Sequence, residues 1–387
     1  MDYKEYELDE LLPYEQPQAY IVESTQYSDT YKTPVLTAGK SFILGYTNET
    51  KGIYEDLPVI IFDDFTTATQ FVNFKFKVKS SAMKILHINT DLVLPKYIYY
   101  KLQTIHIDHS THKRYWIQQF SKIKVAVPSI PEQQRIVSRI EELFSSLDNA
   151  VETLQKTKEQ LAVYRQAVLK EAFEGKLTNS TITNYGIVGD FIEKPRYGTS
   201  KKCDYKSDER FKDVYRIPNI DAKSGIISHI DIKRAEFNEK ELEDLDLKVG
   251  DILIIRSNGS QSIVGTAAMV RENDINGTFA GYLMRLRIKT TAKLLPKFLL
   301  FYLSSFDART YIERVSKSTS GVNNINAQEV SKIPIPVFEV ADQSAIIKEI
   351  ESRISLYDQI EKTVDTALAQ AEAMRQSILK EAFEGRL

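Results

Sequence analysis

The sequence predicts an α+β protein: two mixed α/β domains, each followed by a long helix, with the two helices paired as an antiparallel coiled coil about a pseudo-twofold axis. Three observations carry that expectation. Leu169-Lys170-Glu171-Ala172-Phe173-Glu174-Gly175-Lys176-Leu177 returns as Leu379-Lys380-Glu381-Ala382-Phe383-Glu384-Gly385-Arg386-Leu387, an offset of 387 − 177 = 210 residues. Before each copy runs a charged segment whose apolar residues recur at alternating steps of four and three, the spacing of a heptad seam. Before each of those segments the chain is β-rich and broken by turn signals.

At 387 residues the chain exceeds one ordinary core and suits two domains or more. Its 42% hydrophobic and 27% charged content are those of a soluble globular protein. No apolar run approaches a membrane span and the start is unlike a signal peptide, so a cytoplasmic location with no membrane partner is expected. Cys203, the single cysteine, excludes an internal disulfide and a cysteine-rich zinc site. A net charge of −2 argues against a general polycation, but bases cluster locally. Between Asn73 and Ser129 the acids are only Asp91 and Asp108, and a second basic enrichment runs from Lys194 to Arg216.

The first domain is expected over 1–130. Val59–Phe62 and Phe71–Val78 read as strands, the second alternating at period two, and Ile123–Pro128 as a closing strand. Pro95–Leu102 reads as a proline-started helix. From Pro131 to Leu177 the seam Ile136, Ile140, Leu143, Leu147, Ala150, Leu154, Thr157, Leu161, Tyr164, Val168 predicts one helix roughly 65 Å long, stopped by Gly175. A second α+β domain is expected over 178–339, with a strand at Asp251–Arg256 and a helix at Pro296–Leu303 that echoes the Pro95 helix. The second helix, 340–387, repeats the seam through Ile346, Ile350, Arg353, Tyr357, Ile360, Val364, Ala367, Ala371, Met374 and Ile378. A parallel pairing would require the second domain, about 15 Å in radius of gyration, to bridge the whole rod, so an antiparallel pairing is expected. The plainer alternative is two surface helices, each folded onto its own domain.

No catalytic constellation emerges. Ala38-Gly39-Lys40-Ser41 looks like the end of a phosphate-binding loop, but Pro34 stands where its first glycine belongs. His106, His109 and His112 share one helical face yet lack carboxylate support beyond Asp108, so no metal site is expected. Donor-rich segments are more telling. Thr111-His112-Lys113-Arg114-Tyr115-Trp116 joins cations to the only tryptophan, whose plain reading is a core residue flanked by solvated bases. Arg256-Ser257-Asn258-Gly259-Ser260 follows a strand with more donors than a hairpin turn needs. Arg196-Tyr197-Gly198-Thr199-Ser200-Lys201 has the same character, with Gly198 allowing close backbone approach, and Asn323-Asn324 is a weaker instance.

These residues carry a resemblance to the specificity subunits of type I restriction–modification systems along essentially the whole chain. The segments are Pro34–Lys40, Ile60–Thr66, His112–Trp116, Pro195–Ser200 and Gly250–Ser260, together with the helix start Pro131-Glu132-Gln133-Gln134 and the repeated Leu-Lys-Glu-Ala-Phe-Glu-Gly. One departure is Ala341-Asp342-Gln343-Ser344 at the second helix start, expected to loosen it; another is a shorter first domain.

The resemblance implies two target recognition domains, each reading one half of a bipartite DNA site, and helices that set the spacing. It implies two methyltransferase subunits and ATP-dependent translocase/endonuclease subunits as partners of double-stranded DNA and this chain. It also implies no chemistry here: S-adenosylmethionine, Mg²⁺ and ATP belong to the partners. The DNA-binding candidates are Thr37, Lys40, Ser41, Thr66, Thr67, Lys113, Arg114 and Trp116, then Arg196, Tyr197, Ser200, Lys201, Arg256, Ser257, Asn258, Asn323 and Asn324. The partner-docking candidates are Lys170, Phe173, Glu174, Lys380, Phe383 and Glu384. Two other readings stay open: a coiled-coil assembly scaffold, and a DNA-modifying or DNA-cleaving enzyme.

Overall fold

The computed structural model describes residues 3–37, 41–105, 107, 114–205, 210–319 and 321–387. It divides into two units, Met1–Gln155 with Asp365–Leu387, and Lys156–Val364. The division falls inside both long helices, Ile130–Phe173 and Val340–Phe383, rather than at their ends.

The packing of each unit explains this. In the first, a four-stranded antiparallel sheet runs in the order Tyr14–Glu15, Met83–His87, Val59–Asp63, Thr69–Val72. The helix Pro95–Leu102 lies over it, and Lys4–Glu7 pairs antiparallel with Lys124–Val127 to close the domain. Its main core joins Ile60, Phe62, Tyr97, Ile98 and Trp116 to Ile136 and Ile140 of the first long helix, and to Leu379 and Ala382 of the second. In the second unit a six-stranded sheet centred on Ile252–Ile255 and Leu283–Leu286 packs with the helix Pro296–Leu303. That core joins Ile346 and Ile350 of the second long helix to Leu169, Ala172 and Phe173 of the first. Each domain therefore rests on the start of its own helix and on the end of the other.

Within each unit the helix segments run antiparallel. In the first, Arg135 Nη1 donates to the Leu387 carbonyl at 3.2 Å, while Arg375 pairs with Asp148 and lies 4.3 Å over the Phe144 ring. In the second, Arg165 lies 5.8 Å over Tyr357 and Ser180 Oγ donates to Asp342 at 3.2 Å. The expected seam is only partly followed. Ile136, Ile140, Ile346, Ile350, Val364 and Ala371 are buried, whereas Ala150, Tyr164, Ile360 and Met374 are exposed. A straight helix drifts about 20° per heptad, so a seam in register at one end rotates away from it along the rod.

The repeated motif ends both helices in the same way. Gly175 and Gly385 have φ of 75° and 74°, and the amides of Lys176 and Arg386 donate to the carbonyls of Glu171 and Glu381, each at 2.9 Å. A Cβ on Gly175 would lie 2.1 Å from the Ser180 carbonyl oxygen, so glycine is required there.

The helix starts also match, against the expectation of a looser second one. Gln133 Oε1 accepts from the Leu94 amide at 2.7 Å, and its Nε2 donates to Pro128 and Leu92 carbonyls at 2.9 and 3.2 Å. Gln343 repeats this with the Leu295 amide, Phe338 and Lys293, each at 2.9 Å. Both glutamines are buried. Of the four letters that differ in part, the one that survives makes the bonds.

One strand expectation needs correcting. Phe71–Val78 is not a single strand: Thr69–Val72 belongs to the four-stranded sheet and Lys77–Val78 pairs parallel with Thr33–Leu36 in another. Phe76, buried between them, bridges to Tyr54. The period-two alternation reflects burial on both sides of a crossover, not one pleat.

Candidate nucleic-acid interface

The two domains share a backbone junction at the end of their central strands. In the first domain the Asp64 amide donates to the Ala82 carbonyl at 3.2 Å, and the Asp64 carbonyl accepts from the Tyr115 amide at 3.1 Å. In the second, the Arg256 amide donates to the Tyr282 carbonyl at 2.9 Å, and the Arg256 carbonyl accepts from the Ile325 amide at 2.9 Å. Tyr115 and Ile325 are themselves separated by the repeat offset, 325 − 115 = 210. Asp64 and Arg256 thus occupy one structural position with opposite charge.

A cleft opens beside each. In the first domain it measures about 530 Å³ and is lined by Gln16, Asp64, Phe65, Ser80, Lys84 and Arg114 among others. Asp64 and Lys84 are both buried, 3.5 Å apart, and Asp64 Oδ1 accepts from the Trp116 amide at 2.8 Å. The local charge is therefore largely satisfied inside the domain. Asp63 Oδ1 accepts from the amides of Phe65 and Thr66 at 2.7 and 3.0 Å, and Thr67 takes φ 60°, which leaves Phe65 exposed at the turn.

In the second domain the cleft measures about 580 Å³ and is lined by Ser200, Lys201, Arg216, Lys233, Arg256 and Tyr282, among others. Arg256 lies 4.8 Å over the Tyr197 ring and donates through Nη1 to the Gly281 carbonyl at 3.2 Å. Burial pushes the nearby Cys203 thiol up.

The structure sorts the candidates. Thr66, Thr67 and Arg114 come together near the first cleft; Ser200, Lys201 and Arg256 line the second. Ser41 is exposed and Thr37 half-buried, with its amide bonded to the Phe42 carbonyl at 3.0 Å. Lys40, Lys113 and the three expected helix-face histidines lie outside the described residues.

Several candidates make contacts within the fold. Trp116 is fully buried between Phe62 and Phe120, a core residue and not a contact. Ser257 is buried, Arg196 pairs with Asp244, and the Tyr197 hydroxyl accepts from the Ala327 amide at 2.9 Å. Asn258 Oδ1 accepts from Ser260 at 2.8 Å, Asn323 Nδ2 donates to Gly259 at 3.0 Å, and Asn324 pairs in register with Ser257. Gly198 permits close approach of the protein's own backbone: a Cβ there would meet the Phe279 and Ala280 carbonyls at 2.3 Å.

Of the docking candidates, Lys170, Glu174, Lys380 and Glu384 are exposed. Phe173 is buried against Phe298 and Tyr302, ring centroids 5.1 and 5.0 Å away, and Phe383 packs on Tyr97 at 5.3 Å. Packing thus accounts for the phenylalanines of the repeat.

Sequence reading missed Lys233, Phe65 and Tyr282. Each lies in or beside a turn whose composition is ordinary, and only the folded strand order brings it to a cleft. Much of the first domain's basic excess is neutralised where it lies: Lys75 pairs with Glu55, Lys77 with Glu49 and Lys96 with Glu141. Among the described residues no helix is long and apolar enough to cross a membrane.

A skeleton is used twice in this chain, with a differently charged cleft on each copy. Comparison with known proteins assigns the family. A family model for the type I restriction modification DNA specificity domain matches residues 1–162. The type I restriction enzyme EcoR124I/EcoR124II specificity subunit of Escherichia coli is 30% identical over 386 residues, covering 95% of this chain and 90% of that one. The StySPI specificity subunit of Salmonella potsdam is 28% identical over 276 residues, 69% of this chain and 58% of its own. A chain of a solved type I R-M system shares the fold at TM-score 0.73 with 14% identity, covering 100% of this chain and 98% of that one. The chain belongs to the family of type I restriction enzyme specificity subunits, the DNA-recognition components of those systems. That membership supports DNA recognition over the scaffold and autonomous-enzyme readings.

Proposed function

We propose that each domain reads one half of a bipartite, asymmetric DNA target, and that the paired helices fix the nonspecific spacer. The observation that carries this is the Asp64/Arg256 exchange at one backbone position, since like skeletons with unlike side chains read unlike sequences. Two methyltransferase subunits dock on the helices, with Lys170, Glu174, Lys380 and Glu384 as exposed contacts. Val163, Leu356 and Met374, exposed apolar residues on the same helices, suit such an interface. ATP-dependent translocase/endonuclease subunits complete the complex in the cytoplasm. S-adenosylmethionine, Mg²⁺ and ATP are held by those partners, and this chain contributes recognition.

Co-expression with the methyltransferase, followed by mapping of methylated positions, tests the reading. Two different half-sites separated by a fixed unread spacer are expected; one continuous symmetric site would refute it. Inserting one heptad into both helices adds about 10 Å of helix, close to three base-pair steps. The mapped spacer should lengthen accordingly with both half-sites unchanged.

A further inference from the structure

The cleft of the second domain has an unusual chemical balance. Four cations line it, Lys201, Arg216, Lys233 and Arg256, and among the described residues no carboxylate does. Two of these are already engaged: Lys201 with Glu241 at 2.6 Å, and Arg216 Nη2 with Asp231 at 2.9 Å. Lys233 and Arg256 have no ion-pair partner among the described residues; their ammonium and guanidinium groups lie over the Tyr205 and Tyr197 rings, each at 4.8 Å. The Nε atoms of both Arg216 and Arg256 are buried with no hydrogen-bond partner. Thr199 and Ser200 also line the cleft.

Buried donors without acceptors are rare in folded proteins, and two converging on one cleft mark a place for an acceptor brought from outside. A nucleobase edge offers at most two neutral acceptors, which leaves several cations unneutralised. A phosphodiester offers negative charge and oxygens that arginine forks and lysine ammoniums both match. We propose that this cleft seats one phosphate of the DNA backbone, held by Arg216, Lys233 and Arg256. The site rests on the DNA-recognition reading and deepens it. It fixes the register of the second domain on the duplex without itself reading sequence. Arg216 and Lys233 are then positioning contacts, and the bases are read elsewhere on the domain.

The test uses the full chain assembled with its methyltransferase and a labelled duplex carrying the mapped target, titrated across salt. Lys233→Gln, whose side chain makes no ion pair, and Arg216→Gln should each weaken binding roughly tenfold. Each should also flatten the slope of log affinity against log salt by about 0.9. The set of methylated sequences should stay the same. A scan of the duplex with single methylphosphonates should find one position that weakens the parent complex more than it weakens Lys233→Gln. Unchanged salt slopes in both variants, or a changed methylated sequence, would overturn the phosphate site while leaving DNA recognition intact. A parent complex that fails to bind any duplex would remove the wider reading and this site with it.

Discussion

At the strand end that the two recognition domains share, the first keeps its charge inside and the second turns it to a cleft. At the shared strand end, Asp64 is buried against Lys84 and holds the Trp116 amide, whereas Arg256 lies over Tyr197 at the wall of a cation-lined cleft. The same contrast recurs under the repeated motif, in the opposite sense. The helix Pro95–Leu102 sets Lys101 Nζ 4.9 Å over the Phe383 ring, while Pro296–Leu303 sets Tyr302 at 5.0 Å from Phe173. Backbone bonds are preserved between the domains; side-chain charge is what diverges. Duplication evidently tolerates such change where a side chain faces a cleft, and far less where three bonds converge on a buried glutamine.

The largest effect that could break this comparison is at Asp64. Asp64→Ala strands the buried Lys84 and should destabilise the first domain by about 3–5 kcal/mol. Trp116 is the only tryptophan, so its fluorescence during denaturant unfolding reports on that domain alone. Arg256→Ala should cost about 1 kcal/mol or less, because no buried counter-charge is left behind. Equal costs at the two positions would mean that Arg256 is structural as well. Next come the brackets. Gln133→Ala and Gln343→Ala each remove three hydrogen bonds and should cost about 2–4 kcal/mol. Hydrogen exchange at the Leu94 and Leu295 amides should rise by matching factors; a one-sided rise would show the helix starts to be unlike after all.

The smallest effect is at Lys101. Burial lowers its pKa from the ordinary lysine value, so the folded domain disfavours its charge. With the folded pKa below the unfolded one, the chain binds fewer protons when folded, and stability rises with pH through that window. Lys101→Tyr, which copies the second domain, should stabilise the first on the order of 1 kcal/mol at neutral pH. The gain should shrink as pH climbs past the lowered lysine value toward about 10.4. A gain independent of pH would trace the effect to ring packing and not to charge.

The repeat, both long helices, their antiparallel sense and the two proline-started helices were legible in the sequence because each rests on local periodicity or on duplication. The crossover at Asn73–Phe76 was not, since alternation alone cannot say which sheet a residue enters. Trp116 and Ser257 looked like contacts because indole and hydroxyl groups suit both cores and interfaces, and only burial separates the two uses. The second cleft was half legible. Lys201 and Arg256 stand in donor-rich segments, but Lys233 joins them only through the pairing of Lys233–Glu236 with Phe211–Tyr215.

Because the first core borrows from the far end of the second helix, its completion is delayed during synthesis. Arg375 and Asp148 are 227 residues apart in sequence, and Arg135 meets the Leu387 carbonyl across 252. A ribosome that has released the whole first domain has still not made Leu379 or Ala382, which fill its core. Closing so long a loop costs entropy that no local contact repays, and slows the final step. The nascent first domain must therefore wait with an apolar face open until the second helix arrives. The second suffers no such wait for the first helix, since Leu169–Phe173 precedes it. Two halves alike in skeleton thus reach the folded state by different schedules, and the first is the half a chaperone would have cause to hold.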